Sequence, residues 1–175
     1  MRTEIIEKIR LSLWRESVMH ILTVAFFGHR LIENPFRIEK LLDKYIRDLI
    51  TANEYVDFLV GRNGDFDQYA ASAVLRMRKQ CGEENSALVL VLPYLTAEYL
   101  KNESSFRDYY TDVEVSLSAQ KAHPKSAIRI RNREMVDRAD LIICCIEHKN
   151  GGAWEAVRYA MHQGKKVINL AENSM

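Results

Sequence analysis

Three glycine-containing turns carry the residues of this chain that are best suited to bind a charged ligand. They are Gly28-His29-Arg30, the segment GRNGDFD at 61–67 and the segment NGGA at 150–153. Each turn follows an apolar run, and the second and third lead into helical patterns. Backbone N–H groups at helix N-termini attract anions, and glycine lets a phosphate group approach them closely. The turns therefore predict a site for a phosphate-bearing ligand, the alternative being that the glycines serve only as tight turns.

An arginine-rich segment, IRIRNREM at 128–135, offers a cation for the same ligand. Its three arginines stand two residues apart, so they cannot all face one side of a helix. Arg131, Glu134 and Met135 form the set most compatible with an inward-facing side. A guanidinium donates two parallel hydrogen bonds to a phosphate. Arg131 is therefore a candidate phosphate ligand, although a solvated helix face is also consistent with this spacing.

Acidic residues near the turns have two interpretations each. Asp65 and Asp67 would bind ribose hydroxyls or cap the helix that follows them. Glu155 is either a surface acid that favours the helix dipole or a group facing the ligand. In an enzyme, Glu155 and Asp67 would be the candidate catalytic residues. The candidate ligand-binding residues are Gly28, His29, Arg30, Gly61, Asn63, Gly64, Asp65, Asp67, Arg131, Asn132, Gly151, Gly152 and Ala153.

Other kinds of site lack support in the sequence. No Cys/His spacing matches zinc, and no serine has a G-x-S-x-G context. None of the glycine turns is G-x-G-x-x-G or a P-loop. We therefore predict no metal and no cofactor.

Alternating strands and helices must position these residues. Apolar, β-rich runs predict strands at 23–27, 56–60, 87–92, 113–117, 141–146 and 167–170. Amphipathic patterns predict helices at 35–53, after 67, at 127–138 and from 151 to Gly164. Helical crossovers between strands imply a mainly parallel sheet in a three-layer, Rossmann-like α/β domain. In such a sheet, turns that follow strands converge on one edge.

The domain organisation follows from length and pattern. The 175 residues suit one α/β domain, which we assign to residues 21–175. Residues 1–20 predict an N-terminal helical extension, since this stretch has good helix formers and neither Gly nor Pro. Residues 94–125 have no regular pattern apart from the short strand.

Composition limits the partners and the compartment. Lys and Arg number 25 against 24 Asp and Glu, so no overall basic field is present and nucleic acid is predicted to be an unlikely partner. No apolar run approaches the ~18 residues of a membrane span, and the charged start lacks a signal-peptide core. Cys81, Cys144 and Cys145 form no even disulfide framework. These features predict a cytoplasmic protein without membrane contact.

Four motifs resemble those of the SLOG superfamily. This Rossmann-like group includes the DNA-processing protein A family and the lysine-decarboxylase-like phosphoribohydrolases. Gly28-His29-Arg30, VGRNGDFD at 60–67, RNREM at 131–135 and GGA at 151–153 are similar, in order, to the motifs of a small uncharacterised bacterial branch. The resemblance covers residues 23–170. It implies a nucleotide-derived ligand over the sheet edge, a role in signalling or phage conflict, and a homo-oligomer, since relatives often complete their pocket across a dimer.

The resemblance to the phosphoribohydrolases is incomplete at the catalytic motif. Their R-K-x-x-M is matched by Arg131 and Met135, but their P-G-G-x-G-T-x-x-E is not. Asn150 replaces the proline, and Arg158 stands at the position of the glutamate. The usual base for attack by water is therefore missing, and Glu155 is the available substitute.

These observations leave three hypotheses for the function. The leading one is sensing or sequestering of a nucleotide-derived, phosphate-bearing small molecule without catalysis. The alternative is hydrolysis of the N-glycosidic bond of a nucleoside monophosphate, with Arg131 holding the phosphate and Glu155 or Asp67 acting on water. The third is an accessory role in DNA processing, by analogy with the DNA-processing relatives.

Overall fold

The computed structural model describes residues 19–172. The helical extension predicted at 1–20 lies outside this range apart from residues 19 and 20, which belong to no helix or strand. Residues 173–175 also lie outside it.

Six strands form one sheet in the order β4-β3-β2-β1-β5-β6, and every neighbouring pair is parallel. The predicted mainly parallel sheet is confirmed. Each predicted strand is present within two residues at either end. The strands are β1 Ile21–Gly28, β2 Tyr55–Val60, β3 Ser86–Leu92, β4 Asp112–Val115, β5 Leu141–Cys145 and β6 Lys166–Asn169.

Helices cover both faces of the sheet. They are α1 Pro35–Ala52, α2 Asp65–Cys81, α3 Ala97–Lys101, α4 Glu103–Tyr109, α5 Pro124–Arg138 and α6 Gly151–His162, with a 3₁₀ turn at Ala119–Lys121. Side chains of β1 alternate between two cores. Val24 and Phe26 pack with α1 and α2, whereas Ala25 and Phe27 pack with α5 and α6. The three-layer prediction is therefore confirmed.

The ends of the long helices follow local signals in the sequence. At the start of α1, Asn34 Oδ1 accepts a hydrogen bond from the N–H of Arg37 at 3.2 Å, and Pro35 occupies the first turn. Beyond α6, Gly164 has a φ of 70°, and its N–H donates to the carbonyl of Met161. Glycine adopts this left-handed conformation without strain.

The segment without a regular sequence pattern contains α3 and α4. Tyr99, Phe106 and Tyr110 from this segment are buried, and the rings of Tyr99 and Phe106 meet edge to face at 5.4 Å. Helices of five and seven residues are too short to show a helical period. Their position is therefore fixed by these aromatic contacts, which sequence periodicity does not reveal.

The strand order places a crevice at the carboxyl end of β1. Successive strands run outward from β1 through β2 and β3 to β4, and the chain then returns to the other side of β1 with β5. Open α/β sheets bind ligands at such a reversal point, since the flanking loops diverge there. No helix among residues 19–172 combines the length and the apolar character needed to cross a membrane.

Candidate functional site

A cavity of about 410 Å³ lies at the reversal point, above the carboxyl ends of β1 and β2 and beside the start of α6. We call it the rim pocket. Most of the predicted ligand-binding residues line it, together with Phe26, Phe27, Ile128, Met135 and Asn150. The predicted residues in its wall are Gly28, His29, Arg30, Gly61, Asn63, Asp67, Arg131, Asn132, Gly151, Gly152 and Ala153.

Arg131 provides a buried cation in the wall of the rim pocket, where Arg30 is exposed. Arg131 is only 2% exposed, although arginine is rarely buried unless its charge is paired. Nη1 donates to the carbonyl of Val91 at 2.5 Å, and Nη2 donates to Oδ1 of Asn63 at 2.9 Å. Nε donates to Oδ1 of Asn132, also at 2.9 Å. The guanidinium is therefore fixed from three sides, while its edge lies in the pocket wall.

The charge of Arg131 is not balanced by a direct ion pair. Within residues 19–172, no carboxylate oxygen lies within 4.0 Å of its guanidinium. Burial lowers the pKa of Arg131, and the negative charge of Asp67 opposes this effect. A buried cation whose hydrogen-bond partners are neutral oxygens gains from an added anion. The pocket is therefore electrostatically prepared for a phosphate or a carboxylate.

Gly61 brings Arg131 and Asp67 close together without pairing them. A Cβ on Gly61 would stand 2.8 Å from Nη1 of Arg131 and 3.0 Å from Oδ2 of Asp67. Both groups thus lie against the same backbone position at the end of β2. A side chain at this position would occupy the space where the guanidinium now lies.

Asp67 is partly buried and serves the start of α2. Its Oδ2 accepts a hydrogen bond from the N–H of Asn63 at 2.7 Å, which satisfies a donor just before the helix. Burial raises the pKa of Asp67, while this hydrogen bond and the charge of Arg131 oppose the rise. The capping interpretation therefore has a direct contact behind it, and the carboxyl group remains in the wall of the pocket.

The raised pKa makes a prediction about stability. An acid whose pKa is higher in the folded state destabilises that state when ionised, and the cost disappears as the pH falls through the raised value toward 3.8. Asp67→Asn is therefore expected to have a higher free energy of unfolding than the wild type at pH 7. Urea unfolding between pH 4 and pH 8 should show this difference shrinking as the pH falls. A difference that grows in acid would contradict the assignment.

Two predicted glycines are required by packing between turns. A Cβ on Gly64 would meet the Cα of Arg30 at 2.5 Å, and the N–H of Asp65 donates to the carbonyl of Arg30 at 2.9 Å. A Cβ on Gly28 would meet the side chain of Phe66 at 2.3 Å. The first and second turns are thus locked together, and Gly64 and Asp65 lie outside the wall of the rim pocket.

The third turn leaves space for a ligand. Gly151 has a φ of 80°. Among residues 19–172, no atom outside the adjoining residues and the local helix backbone lies within 4 Å of the position that a Cβ on Gly151 or Gly152 would take. Asn150 precedes α6 and makes no side-chain hydrogen bond to the helix. The first N–H groups of a helix lack intrahelical partners and carry positive potential. This end of α6 can therefore receive an anion at close range.

His29 joins the first and third turns. Its Nε2 accepts a hydrogen bond from the N–H of His148 at 3.1 Å, and the two rings lie 5.7 Å apart. The backbone N–H of His29 also donates to the carbonyl of Cys145 at 3.3 Å. The contacts of His29 thus hold the loop after β5 in place.

A second cavity, of about 340 Å³, lies between α5 and α6. Glu155 lines this cavity rather than the rim pocket, so the two candidate catalytic residues, Glu155 and Asp67, lie in different cavities. Asn132 and Gly152 line both. The sequence predicts Glu155 in the first turn of the helix, whereas the first turn of α6 contains no acidic residue. The sequence also does not set the direction in which this side chain points.

Some pocket residues were absent from the sequence prediction. Phe26 and Phe27 end the buried run of β1, and Ile128 lies one turn before Arg131 on α5. These apolar residues form part of the pocket wall. Strand ends and the helical i, i+3 relation to Arg131 were the signals that would have identified them.

Comparison with known proteins shows likeness in structure only. No family model matches the sequence, and no curated protein matches it. The fold is similar to the X-ray structure of DNA processing protein A from Streptococcus pneumoniae, with 18% identity and a TM-score of 0.60, over 84% of this chain and 49% of that one. It is also similar to DNA processing protein A from Helicobacter pylori, with 16% identity and a TM-score of 0.58, over 83% and 63%. The chain thus spans about half to three-fifths of these proteins, and such identities show the fold alone.

The second of these structures corrects one prediction. It is described as showing the single-stranded DNA binding mode of the Helicobacter pylori protein. The prediction that nucleic acid is an unlikely partner is therefore wrong. It relied on the near-equal numbers of acidic and basic residues, but net charge is a sum over the whole surface. A local group of cations can bind a strand in a chain whose total charge is close to zero.

Proposed function

We propose that this protein binds a nucleotide at the rim pocket through the phosphate group. The buried guanidinium of Arg131, which has no direct carboxylate partner among residues 19–172, is the observation that supports this proposal most strongly. The oxygens of a phosphate beside it would accept hydrogen bonds from the remaining N–H groups of the guanidinium. The open N-terminus of α6, at Gly151 and Gly152, supplies further donors on the other side of the pocket.

The rest of the rim pocket suits the nucleoside part. Its volume of about 410 Å³ lies within the usual range for small-molecule sites, about 300–1,000 Å³. Phe27, Ile128 and Met135 provide apolar wall for a base, while Asn132 provides an amide. The Nδ2 of Asn132 has no partner among the residues that the structure covers, so it can donate to a ligand. The carboxylate of Asp67 also lies in the pocket wall, where it can accept a hydrogen bond from a sugar hydroxyl in addition to the one from the N–H of Asn63.

The test is to compare each nucleotide with its own nucleoside. Titration calorimetry with AMP and dTMP, against adenosine and thymidine, isolates the contribution of the phosphate. We expect each nucleotide to bind at least about tenfold more tightly, corresponding to about 1.4 kcal/mol. Inorganic phosphate at high concentration should compete with AMP. Nucleosides that bind as tightly as their nucleotides would contradict the proposal.

The same samples address catalysis. Chromatography of each nucleotide after incubation would detect a free base and a pentose phosphate, the products of N-glycosidic hydrolysis. The carboxyl of Asp67, with its raised pKa, is the group in the rim pocket suited to activate water. If turnover occurs, Asp67→Asn should abolish it while AMP still binds, because the Oδ1 of asparagine can still accept a hydrogen bond from the sugar hydroxyl. Recovery of intact nucleotide supports a sensing or sequestering role.

Single-stranded DNA is the second candidate ligand. The likeness to a protein described in a single-stranded DNA binding mode favours it. In that case, the phosphate at Arg131 would belong to a strand, and the protein would serve DNA processing. The chain would then need further cations next to the rim pocket, since strand affinity depends on contacts to several phosphates.

A further inference from the structure

The cavity between α5 and α6 is strongly basic, and we call it the basic groove. It is lined by Arg129 and Arg133 from α5 and by Arg158 and His162 from α6. Arg129 and Arg133 are one helical turn apart, and Arg158 and His162 are also one turn apart. Each pair therefore projects from a single face of its helix toward the same groove. Glu155 is the one carboxylate that residues 19–172 contribute to its wall.

The arginines of the groove are not used by the fold. Across residues 19–172, the side chains of Arg129, Arg133 and Arg158 make no hydrogen bond or ion pair. Four other arginines do pair with carboxylates: they are Arg62, Arg76, Arg107 and Arg138. Three free guanidinium groups around a concave surface concentrate positive potential there.

Arg133 is nevertheless held in place. Its guanidinium lies 5.2 Å from the centre of the Tyr159 ring, within the range of a cation–π contact. The hydroxyl of Tyr159 in turn donates to Oδ1 of Asp137 at 2.8 Å. This arrangement limits the freedom of Arg133 without neutralising its charge. A cation with a restricted side chain loses less entropy when it binds an anion.

The basic groove is continuous with the rim pocket. Asn132 and Gly152 lie in the walls of both cavities. The Nδ2 of Asn132, which is free within the described residues, is therefore near the junction, next to the open N-terminus of α6. A ligand that fills the rim pocket can extend into the groove without displacing a helix or a strand.

We infer that the basic groove is a second phosphate site, which holds backbone phosphates of a single-stranded oligonucleotide whose neighbouring nucleotide occupies the rim pocket. This inference rests on the proposed function of that pocket. Neighbouring phosphates of a nucleoside triphosphate share one bridging oxygen, whereas successive phosphates of a strand are separated by a sugar. Cations on two helices, outside the rim pocket, match the second arrangement. Contacts to the backbone make the recognition independent of base sequence.

The test measures how affinity depends on strand length. The ligands are 5′-phosphorylated oligothymidylates of one, two, four and eight nucleotides, titrated at several salt concentrations. For the wild type, we expect affinity to rise at least tenfold from one to four nucleotides. The double variant Arg129→Gln/Arg158→Gln should lose this rise and bind the mononucleotide as the wild type does. For this variant, the negative slope of log K against log salt should become shallower by about 1.4, which is about 0.7 for each lost phosphate contact.

A matched control removes the same charge from the opposite layer. Lys44 and Arg47 are exposed on α1, which packs on the other face of the sheet. Lys44→Gln/Arg47→Gln should leave both the rise and the salt slope unchanged. If this control weakens strand binding as much as the groove variant does, the effect is one of net charge and the inference is overturned.

Two further results would overturn the inference. One is strand binding that is unchanged in the groove variant. The other is a gain from AMP to ATP that exceeds the gain from one to four nucleotides and is lost in the same variant. Failure of the proposed function is distinguishable, because it appears as mononucleotide binding that is absent or indifferent to Arg131. If strand binding depends on the groove arginines in that case, the basic groove binds phosphates but the rim pocket is not the nucleotide site.

Discussion

Replacing Arg131 with glutamine is expected to weaken binding of AMP at least about 100-fold, or about 2.7 kcal/mol. The guanidinium is the buried cation in the wall of the rim pocket, and glutamine can supply neither its charge nor its paired donors. Titration calorimetry measures the loss directly. The control is Arg138→Gln on the same helix, which removes an exposed ion pair with Glu114. Such a pair is worth only about 0–1 kcal/mol, and AMP binding should not change.

The same substitution affects stability, so folding must be measured alongside binding. Without Arg131, the carbonyl of the buried Val91 loses its donor, whereas Oδ1 of the exposed Asn63 can turn to water. An unsatisfied buried acceptor costs about 1–3 kcal/mol. Arg131→Lys provides a second test, since it keeps the charge but not the planar fork, and it should bind AMP between the wild type and Arg131→Gln. A folded Arg131→Gln protein that binds AMP normally would refute the role of Arg131.

The fold was predictable because its signals are local and repeated. Central parallel strands are apolar on both faces, so β1, β3 and β5 stand out as continuous runs such as Ala87–Leu92. Helix α1 has a cap, a proline at its start and a buried stripe at helical spacing. The helical period also separated Arg131 and Met135 from the exposed Arg129 and Arg133. In each case the deciding residues lie within one or two turns of each other.

The details of the site depend on contacts between distant segments, which a single sequence does not display. Gly28 looks like a residue for a tight turn, but its neighbour in space is Phe66 on α2. The sequence offers Glu155 either as a surface acid or as a group facing the ligand, and its position near the start of α6 does not decide between the two. A helix turns through about 100° per residue, so Glu155 faces the groove while Gly152 reaches both cavities. The rotation of α6 about its axis is set by packing of Ala156 and Val157, not by the turn itself.

The charge of the groove shows the same limitation. Lys and Arg nearly balance Asp and Glu over the chain, and the arginines of α5 are close in sequence to acidic residues. Arg138 forms an ion pair with the carboxylate of Glu114. Arg129 and Arg158 make no ion pair across the part of the chain that the structure describes. Which cations are free depends on tertiary contacts. Net charge is therefore a poor guide to the charge of any one surface of this protein.

Gly28→Ala is expected to lower the free energy of unfolding by about 3 kcal/mol or more. The added Cβ would lie 2.3–2.5 Å from side-chain atoms of Phe66, which is completely buried. Phe66 also contacts the ring of Phe26 at 6.5 Å between centroids, so it cannot move without disturbing the core between β1 and α2. Overpacking of this kind typically costs about 1–3 kcal/mol, and more where the neighbours are fixed. Urea unfolding measures the change.

Gly152→Ala is the matched control for this substitution, because the residue is helical and, apart from the adjoining residues and the local helix backbone, no atom of the described residues lies within 4 Å of the new Cβ. Alanine is favoured over glycine in a helix by up to about 1 kcal/mol, so this variant should be as stable as the wild type or more stable. Phe66→Leu in the Gly28→Ala background removes ring atoms at the point of collision, and it should cost less there than in the wild type. If Gly28→Ala unfolds within about 0.5 kcal/mol of the wild type, packing against Phe66 does not require glycine. The requirement at Gly28 would then have to come from the ligand, whose approach to the end of β1 the added methyl group would obstruct.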